Sequence, residues 1–230
     1  KGFVLMAQFL MRKQFLMISD NLKQVNSRID SIQSNHDVQL IAVSKTRSVS
    51  EIQEAFDAGQ THFGENYLQE SLDKISYFKG TGLVWHFIGP IQSNKTASIA
   101  ENFDWVHSVD RVKIAKRLSD QRNPNLGKLN LLIQVNVDKE ETKSGVFIEQ
   151  VDEIVSEIIS LPHICLRGFM CIPQAENSTN SFSEMKNLIS KYPSLGSLSM
   201  GMSSDLEVAI ENGANLVRVG TDIFGQRSYN

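Results

Sequence analysis

The run Leu40-Ile41-Ala42-Val43-Ser44-Lys45-Thr46 is an apolar strand that passes directly into a polar turn carrying an amine. Consecutive apolar residues without alternation are typical of a strand buried on both faces, as in a parallel sheet. Lys45 lies where this strand ends, and a lysine at such a place can form an imine with an aldehyde. Lys45 is therefore the candidate reactive group.

Short apolar runs recur along the chain and alternate with amphipathic segments, the order that parallel strands with crossover helices require. Helical spacing of apolar residues is clearest from Val151 to Ile159 and from Phe182 to Ile189. Eight such units in 230 residues predict a single (β/α)8 TIM barrel of the α/β class, with an open doubly wound sheet as the alternative. The predicted strands are Leu40–Val43, Thr61–Gly64, Leu83–Ile88, Trp105–Ser108, Leu129–Val135, Leu166–Met170, Leu195–Leu198 and Leu216–Val219.

Helix starts and the N-terminal region complete the domain prediction. Ser48-x-x-Glu51 and Ser204-x-x-Glu207 have the pattern of a capping box. An apolar stripe from Leu22 to Ile32 predicts a helix before the first strand. Residues 17–230 are interpreted as the barrel domain, and residues 1–16 as an N-terminal extension or an expression remnant. This start resembles a secretion signal only loosely, since polar residues interrupt it and no cleavage site follows.

Composition and charge restrict the partners. The net charge is -3 and the basic residues are scattered, which disfavours nucleic acid and anionic membranes as partners. Cys165 and Cys171 are too few for a disulfide framework, so we expect a reducing cytoplasm. No long helix stripe lacks a partner, and this favours a monomer.

A barrel gathers its active-site loops at the C-terminal ends of its strands. Most residues at or just past the predicted strand ends are polar, and they predict one ring around one mouth. The members of this ring are Lys45, Glu65, Asn66, His86, His107, Ser108, Asn136, Met170, Met200, Ser203, Arg218 and Thr221.

The loops after the seventh and eighth strands predict a phosphate site, because many barrels bind phosphate there. Gly201-Met202-Ser203-Ser204 follows one strand and Gly220-Thr221 follows the other, so amides and hydroxyls can converge. Turn formation alone would also explain these glycines and serines. Together with Lys45, the two loops indicate a phosphorylated aldehyde as the ligand.

Arg218 lies inside an apolar run, where an unpaired guanidinium is costly, so it needs a buried acceptor or an acidic partner. It is interpreted either as part of a structural salt bridge or as the group facing a pyridine nitrogen, which it would hold unprotonated. His62, His86 and His107 leave open a three-histidine metal site in a barrel hydrolase. Hydrogen bonding or packing within the core is the preferred interpretation, since no metal-binding spacing occurs.

Six segments between about Leu40 and Arg227 together resemble the pyridoxal phosphate homeostasis protein (YggS/PROSC) family. They are Ala42–Thr46, His62–Tyr67, Trp85–Gly89, Gln92–Lys95, Ser199–Ser203 and Arg218–Gly225. The resemblance implies an alanine-racemase-like barrel that binds pyridoxal 5'-phosphate (PLP) as a Schiff base on Lys45, with Arg218 near the ring nitrogen. It implies phosphate contacts from Ser203, Gly220 and Thr221. Asn66 would lie beside the ring, with His86 and Met200 nearby.

The family is regarded as buffering PLP and supporting vitamin B6 balance without an established catalytic turnover. The resemblance therefore implies a non-catalytic carrier whose partners are PLP and PLP-dependent apoenzymes. Alanine racemases also need a tyrosine base from an additional domain, and we expect none here because the sequence ends ten residues after Gly220. The alternatives are a PLP-dependent racemase or decarboxylase, and a lysine-imine aldolase that uses no cofactor.

Overall fold

A computed structural model describes residues 18–32 and 34–226. Within them, eight parallel strands pair in chain order and close into a barrel, with β8 hydrogen-bonded to β1. The predicted TIM barrel is confirmed, and the open sheet is wrong. The strands are β1 Gln39–Val43, β2 His62–Glu65, β3 Val84–Phe87, β4 Trp105–Val109, β5 Leu129–Val135, β6 Ile164–Cys171, β7 Ser197–Ser199 and β8 Leu216–Val219.

Helices surround the barrel and connect successive strands. The first helix, α1, includes residues 18–30. The others are α2 Val49–Asp57, α3 Leu68–Tyr77, α4 Thr96–Asn102, α5 Val112–Gln121, α6 Val151–Ile158, α7 Ser178–Ser190, α8 Leu206–Glu211 and α9 Thr221–Phe224. No helix in the described residues is long and apolar enough to cross a membrane. The interpretation of residues 1–16 falls outside the described part of the chain.

Strand alternation divides the buried residues into two layers. The larger layer lies between the sheet and the helices and includes Ala42, Phe63 and Val217. The smaller layer fills the inside of the barrel with Ile41, Leu132, Met170 and Leu216, against which Trp105 packs. Because side chains alternate along a strand, the inward set continues from these residues towards the mouth. This alternation decides which predicted ring members face the mouth.

One of the two predicted capping boxes is confirmed. The Ser48 hydroxyl accepts from the Glu51 amide, and the Glu51 carboxylate accepts from the Ser48 amide. The box at Ser204 is wrong, because α8 begins only at Leu206, after Asp205. Glu207 accepts hydrogen bonds from Arg28 of α1 instead of forming a capping box with Ser204.

The apolar stripes of the later helices face the barrel as predicted, with one exception. Val151, Val155 and Ile158 are buried on α6, and Phe182 is buried on α7. Ile159 is 51% exposed, and it follows Ile158, the last residue of α6.

Candidate ligand site at the barrel mouth

A cavity of about 390 Å³ opens at the mouth beside β1, β8 and the loop after β7. Its size lies within the range of small-molecule sites. The cavity brings together five of the predicted site residues, namely Lys45, Ser203, Arg218, Gly220 and Thr221. Val43, Arg47, Met202, Ser204 and Asp222 complete its lining. The structure therefore brings Lys45 and the two predicted loops together at one cavity.

Lys45 reaches this cavity because of strand alternation. Ile41 lies inside the barrel and Val43 lines the cavity, so the next residue with the same orientation is Lys45, which is half-buried. The backbone turns sharply at Thr46, whose φ of 64° is uncommon for a β-branched residue. The Thr46 amide donates to Glu70 Oε1 at 2.6 Å, and this bond helps to hold the turn.

A buried polar network supports the Lys45 turn from the helix side. The Ser44 hydroxyl donates to Glu65 Oε1 at 2.6 Å, and Lys74 Nζ donates to the same oxygen and to the Ser44 carbonyl at 2.8 Å each. Burial raises the pKa of Glu65, and the neighbouring Lys74 opposes this shift. The prediction that Glu65 belongs to the ring is wrong, because alternation along β2 turns its side chain towards α3.

The two predicted phosphate loops are joined by a residue that the sequence did not single out. Arg28 of α1 donates to both carboxylate oxygens of Glu207, at 2.7 and 3.1 Å. It also donates to Asp222 Oδ2 at 2.7 Å and to the Ser203 carbonyl at 2.9 Å. We call Arg28 with these three partners the Arg28 clamp. The clamp fixes the loop after β7 against the turn after β8.

Arg47 connects the Lys45 turn with the same region. Its guanidinium donates to the Gly225 carbonyl and to Glu51 Oε1, and it lies 5.6 Å from the centre of the Phe224 ring. At Gly220 the strands approach closely, since an added Cβ would lie 3.3 Å from both Val43 Cβ and the Val43 carbonyl oxygen. A glycine is therefore favoured where the cavity wall turns.

Arg218 has the buried acceptors that the sequence analysis required. It is 5% exposed, and its Nη1 donates to Ser199 Oγ at 2.6 Å while its Nη2 donates to the Cys171 carbonyl at 2.9 Å. Burial lowers the pKa of Arg218, but an arginine in a protein keeps its proton. Both acceptors are neutral, so the anchoring of these two nitrogens is hydrogen bonding rather than a salt bridge.

The three predicted histidines form hydrogen bonds with one another inside the barrel. His62 Nδ1 lies 2.9 Å from His86 Nε2, and His86 Nδ1 lies 2.9 Å from His107 Nε2. Burial lowers the pKa of His86 and His107 well below the usual value, so both rings are neutral at pH 7. In residues 18–32 and 34–226, no group of three or more His, Cys, Asp and Glu is arranged to hold a metal ion. The core hydrogen-bond interpretation is confirmed.

A second cavity of about 260 Å³ occupies the other side of the mouth. Asn66, Ser108 and Asn136 line it, as ring membership predicted, and so do Gln134 and Lys143. The Asn66 Oδ1 atom is buried without a hydrogen-bond partner. Alternation along β5 could have identified Gln134, which has the same orientation as Asn136. Lys143 lies on a loop whose path the sequence pattern did not indicate.

His86 and Met200 are fully buried and line neither mouth cavity. His86 faces inward but lies two residues below Ile88, which reaches the second cavity. Met200 belongs to the layer between sheet and helices. Neither residue therefore lies at a cavity that the other predicted site residues line.

Known proteins resemble this chain over most of its length. Residues 18–228 match the model of the alanine racemase N-terminal domain family. The pyridoxal phosphate homeostasis protein of Escherichia coli K12 is 46% identical over 228 residues, covering 92% of this chain and 97% of the relative. The protein of that name from Vibrio cholerae is 47% identical, with the same coverage. The chain belongs to the pyridoxal phosphate homeostasis protein family.

Solved structures of the family and of a more distant group share the fold. PipY of Synechococcus elongatus PCC7942 with PLP bound is 34% identical, with a TM-score of 0.79 over 90% of this chain and 100% of PipY. PipY without PLP is 35% identical, with a TM-score of 0.81 and the same coverage. Alanine racemase from Corynebacterium glutamicum is 16% identical, with a TM-score of 0.72 over 94% of this chain and 62% of the racemase, a likeness of fold alone.

Proposed function

We propose that this protein binds PLP at the barrel mouth, holds it as a Schiff base on Lys45, and buffers or delivers it as part of PLP homeostasis. One observation carries the proposal: Lys45, Arg218 and both phosphate loops line a single cavity. PLP is a phosphorylated aldehyde with a pyridine ring, so it needs an amine, an anion site and a ring contact close together. The PLP-bound structure of the PipY relative supports the same ligand.

The charges around the cavity fit a phosphorylated ligand. Lys45, Arg47 and Arg218 contribute positive charge to the lining. Asp222 is the only carboxylate among the described lining residues, and the Arg28 clamp already compensates its charge. Hydroxyls of Ser203, Ser204 and Thr221 are available to accept or donate hydrogen bonds. This composition suits a phosphate group beside an aldehyde.

The Arg218 guanidinium would set the strength of the electron sink that bound PLP provides. Bound PLP supplies an electron sink through its pyridine ring, and that sink is strongest when the ring nitrogen carries a proton. Arg218 keeps its own proton and would meet the nitrogen as a donor, so the nitrogen stays unprotonated. A carrier that returns PLP unchanged benefits from a weak electron sink. The proposal also includes that the protein is a monomer in the cytoplasm and passes PLP to apoenzymes.

Absorbance of the PLP-loaded protein tests the proposal. The wild-type protein is expected to show a visible band that borohydride removes, and Lys45→Ala is expected to lack it. Lys79→Ala is the matched control, since Lys79 lines a cavity beside α3 and β3 at the opposite end of the barrel. An equal band in Lys45→Ala would refute the Schiff base. Turnover of amino acids above the Lys45→Ala background would favour a racemase or decarboxylase, and aldol cleavage without PLP would favour an aldolase.

A further inference from the structure

Five polar side chains form one hydrogen-bonded row through the inside of the barrel. The row continues from the three histidines, because His107 Nδ1 lies 2.8 Å from Ser199 Oγ and Arg218 Nη1 donates to the same oxygen. We call His62, His86, His107, Ser199 and Arg218 the interior row. Four of its members are 0 to 5% exposed, and His62 is half-buried. The row therefore depends almost entirely on its own hydrogen bonds.

The interior row follows the stagger of the barrel strands. His62 pairs with Val84, and His86 lies two residues beyond that partner. His86 pairs with Trp105, and His107 again lies two residues beyond it.

The last step of the row repeats this stagger. Ser199 pairs with Leu216, and Arg218 lies two residues further along β8. The interior row thus rises from the amino end of β2 to the floor of the mouth cavity, which Arg218 lines.

The guanidinium sets the direction of every hydrogen bond in the row. Arginine only donates, so Ser199 Oγ accepts from Arg218 and has one proton of its own to place. That proton finds an acceptor in the row only if His107 Nδ1 is unprotonated. The proton of His107 is then on Nε2, which donates to His86 Nδ1. By the same argument, the proton of His86 is on Nε2, which donates to His62 Nδ1.

All three histidines are consequently neutral and carry their proton on Nε2. The opposite direction would give Ser199 Oγ two donors and leave its own buried proton without an acceptor in the row, which is unfavourable. Burial lowers the pKa of His62, His86 and His107, which agrees with neutral rings. Arg218, the fixed cation nearest to His107, lowers its pKa further.

We propose that Ser199 and His107 are positioning residues, which hold the Arg218 guanidinium in the orientation that faces bound PLP. The inference rests on the proposed function. Ser199 fixes Nη1 and the Cys171 carbonyl fixes Nη2, so the plane of the guanidinium is set from two sides. His107 fixes the Ser199 hydroxyl, which therefore always presents a lone pair to Arg218. Neither residue lines the cavity, so both act through Arg218.

Nitrogen NMR of histidine-labelled protein without PLP tests the direction of the row. The result expected at pH 7 is that His62, His86 and His107 each carry a proton on Nε2 and none on Nδ1. A proton on Nδ1 of His107, or a charged His107 ring, would overturn the inference. This measurement uses wild-type protein and remains decisive whether or not PLP binds.

Removal of one hydroxyl tests the effect on the ligand. Ser199→Ala is expected to raise the Kd for PLP about tenfold and to shift the absorbance maximum of the bound cofactor, because Arg218 loses one anchor. Ser119→Ala is the control, since it removes another fully buried hydroxyl, one that accepts from the His163 amide away from the mouth. Equal Kd values and equal spectra for the two variants would contradict the inference. Failure of wild-type protein to bind PLP would instead refute the proposed function.

Discussion

The Arg28 clamp and the interior row both fix parts of the mouth, but they do so by different physical means. The clamp consists of charges at the surface, with side-chain exposure of 34% for Arg28 and 44% for Glu207. The interior row consists mainly of neutral groups that are excluded from water. Exposed ion pairs are screened and contribute little to stability, whereas a buried group that loses its partner is expensive. The two regions should therefore respond differently to mutation, pH and salt.

The two regions would meet two different requirements of PLP binding, which are attraction of the phosphate and orientation of Arg218. The Arg28 clamp acts on the loops that would contact phosphate, where attraction to an anion is needed. The interior row acts on Arg218, where the direction of a donor matters more than its charge. We therefore expect changes in the Arg28 clamp to alter PLP release without disturbing the orientation of Arg218.

The largest expected effect comes from breaking the interior row at its centre. His107→Leu removes the partners of both His86 and Ser199 and should lower the free energy of unfolding by about 3 kcal/mol. Urea unfolding followed by circular dichroism measures this change. His36→Leu is the control, because His36 is half-buried and contacts the Ala214 carbonyl at the barrel exterior. Equal losses for the two variants would remove the distinction between buried and exposed regions.

Lowering the pH should distinguish the two regions in a single titration. The histidines of the interior row have lowered pKa values in the folded protein, so the unfolded chain binds more protons below about pH 6.5. Stability is then expected to fall as the pH decreases from about 6.5, by up to about 1.4 kcal/mol per pH unit for each histidine. A His107→Leu protein should show a smaller slope between pH 6.5 and pH 5.

The Arg28 clamp responds at lower pH. The hydrogen bond from Arg28 lowers the pKa of Glu207, so its contribution is present above the unfolded value near 4.5 and is lost as the pH falls below it. The difference in stability between wild-type protein and Glu207→Gln should therefore shrink below about pH 4.5 and stay constant from pH 5 to pH 7. A difference that changes mainly near pH 6 would contradict the assignment.

The smallest expected effect on stability comes from removing the Arg28 clamp itself. Arg28→Ala should cost about 1 kcal/mol of unfolding free energy, because the side chains of Arg28, Glu207 and Asp222 are 34%, 44% and 33% exposed and water weakens their attraction. It should still speed PLP dissociation about threefold, and added salt should reduce that difference. Stopped-flow transfer of PLP to an apoenzyme measures the rate. Lys23→Ala is the control, since Lys23 forms an exposed ion pair with Asp20 on the same helix; an equal rate for the two variants would exclude a role for the clamp.

The sequence predicted the barrel and much of the site because both follow from local pattern. Apolar runs identify strands, and residues at or after the strand ends must gather at one mouth of the barrel. This rule predicts that Lys45, Ser203 and Arg218 lie there. The rule selects too many residues, and strand alternation shows which of them to remove. Alternation turns the side chains of Glu65 and Met200 towards the helices. Exact strand ends are needed for that correction, and the sequence gives them only approximately.

The Arg28 clamp and the interior row could not be predicted from the local sequence pattern. Arg28 and Ser203 are separated by 175 positions, and nothing near Arg28 indicates its partners. The capping box predicted at Ser204 is wrong for the same reason, because the Glu207 carboxylate accepts hydrogen bonds from the distant Arg28. The interior row depends on the stagger of three strand pairs, β2 with β3, β3 with β4 and β7 with β8, and on the contact of His107 with Ser199 between β4 and β7. These are properties of the closed barrel. The sequence required only that Arg218 have an acceptor, and the fold supplies Ser199.

Peptide mapping tests the proposed covalent bond between Lys45 and PLP. PLP-loaded protein is reduced with borohydride, digested and analysed by mass spectrometry. The peptide containing Lys45 is expected to carry the added mass of reduced PLP, at about one equivalent per chain, and Lys45→Ala protein is expected to carry none on any peptide. Full modification of a different lysine in wild-type protein, with the Lys45 peptide unmodified, would contradict the proposed bond.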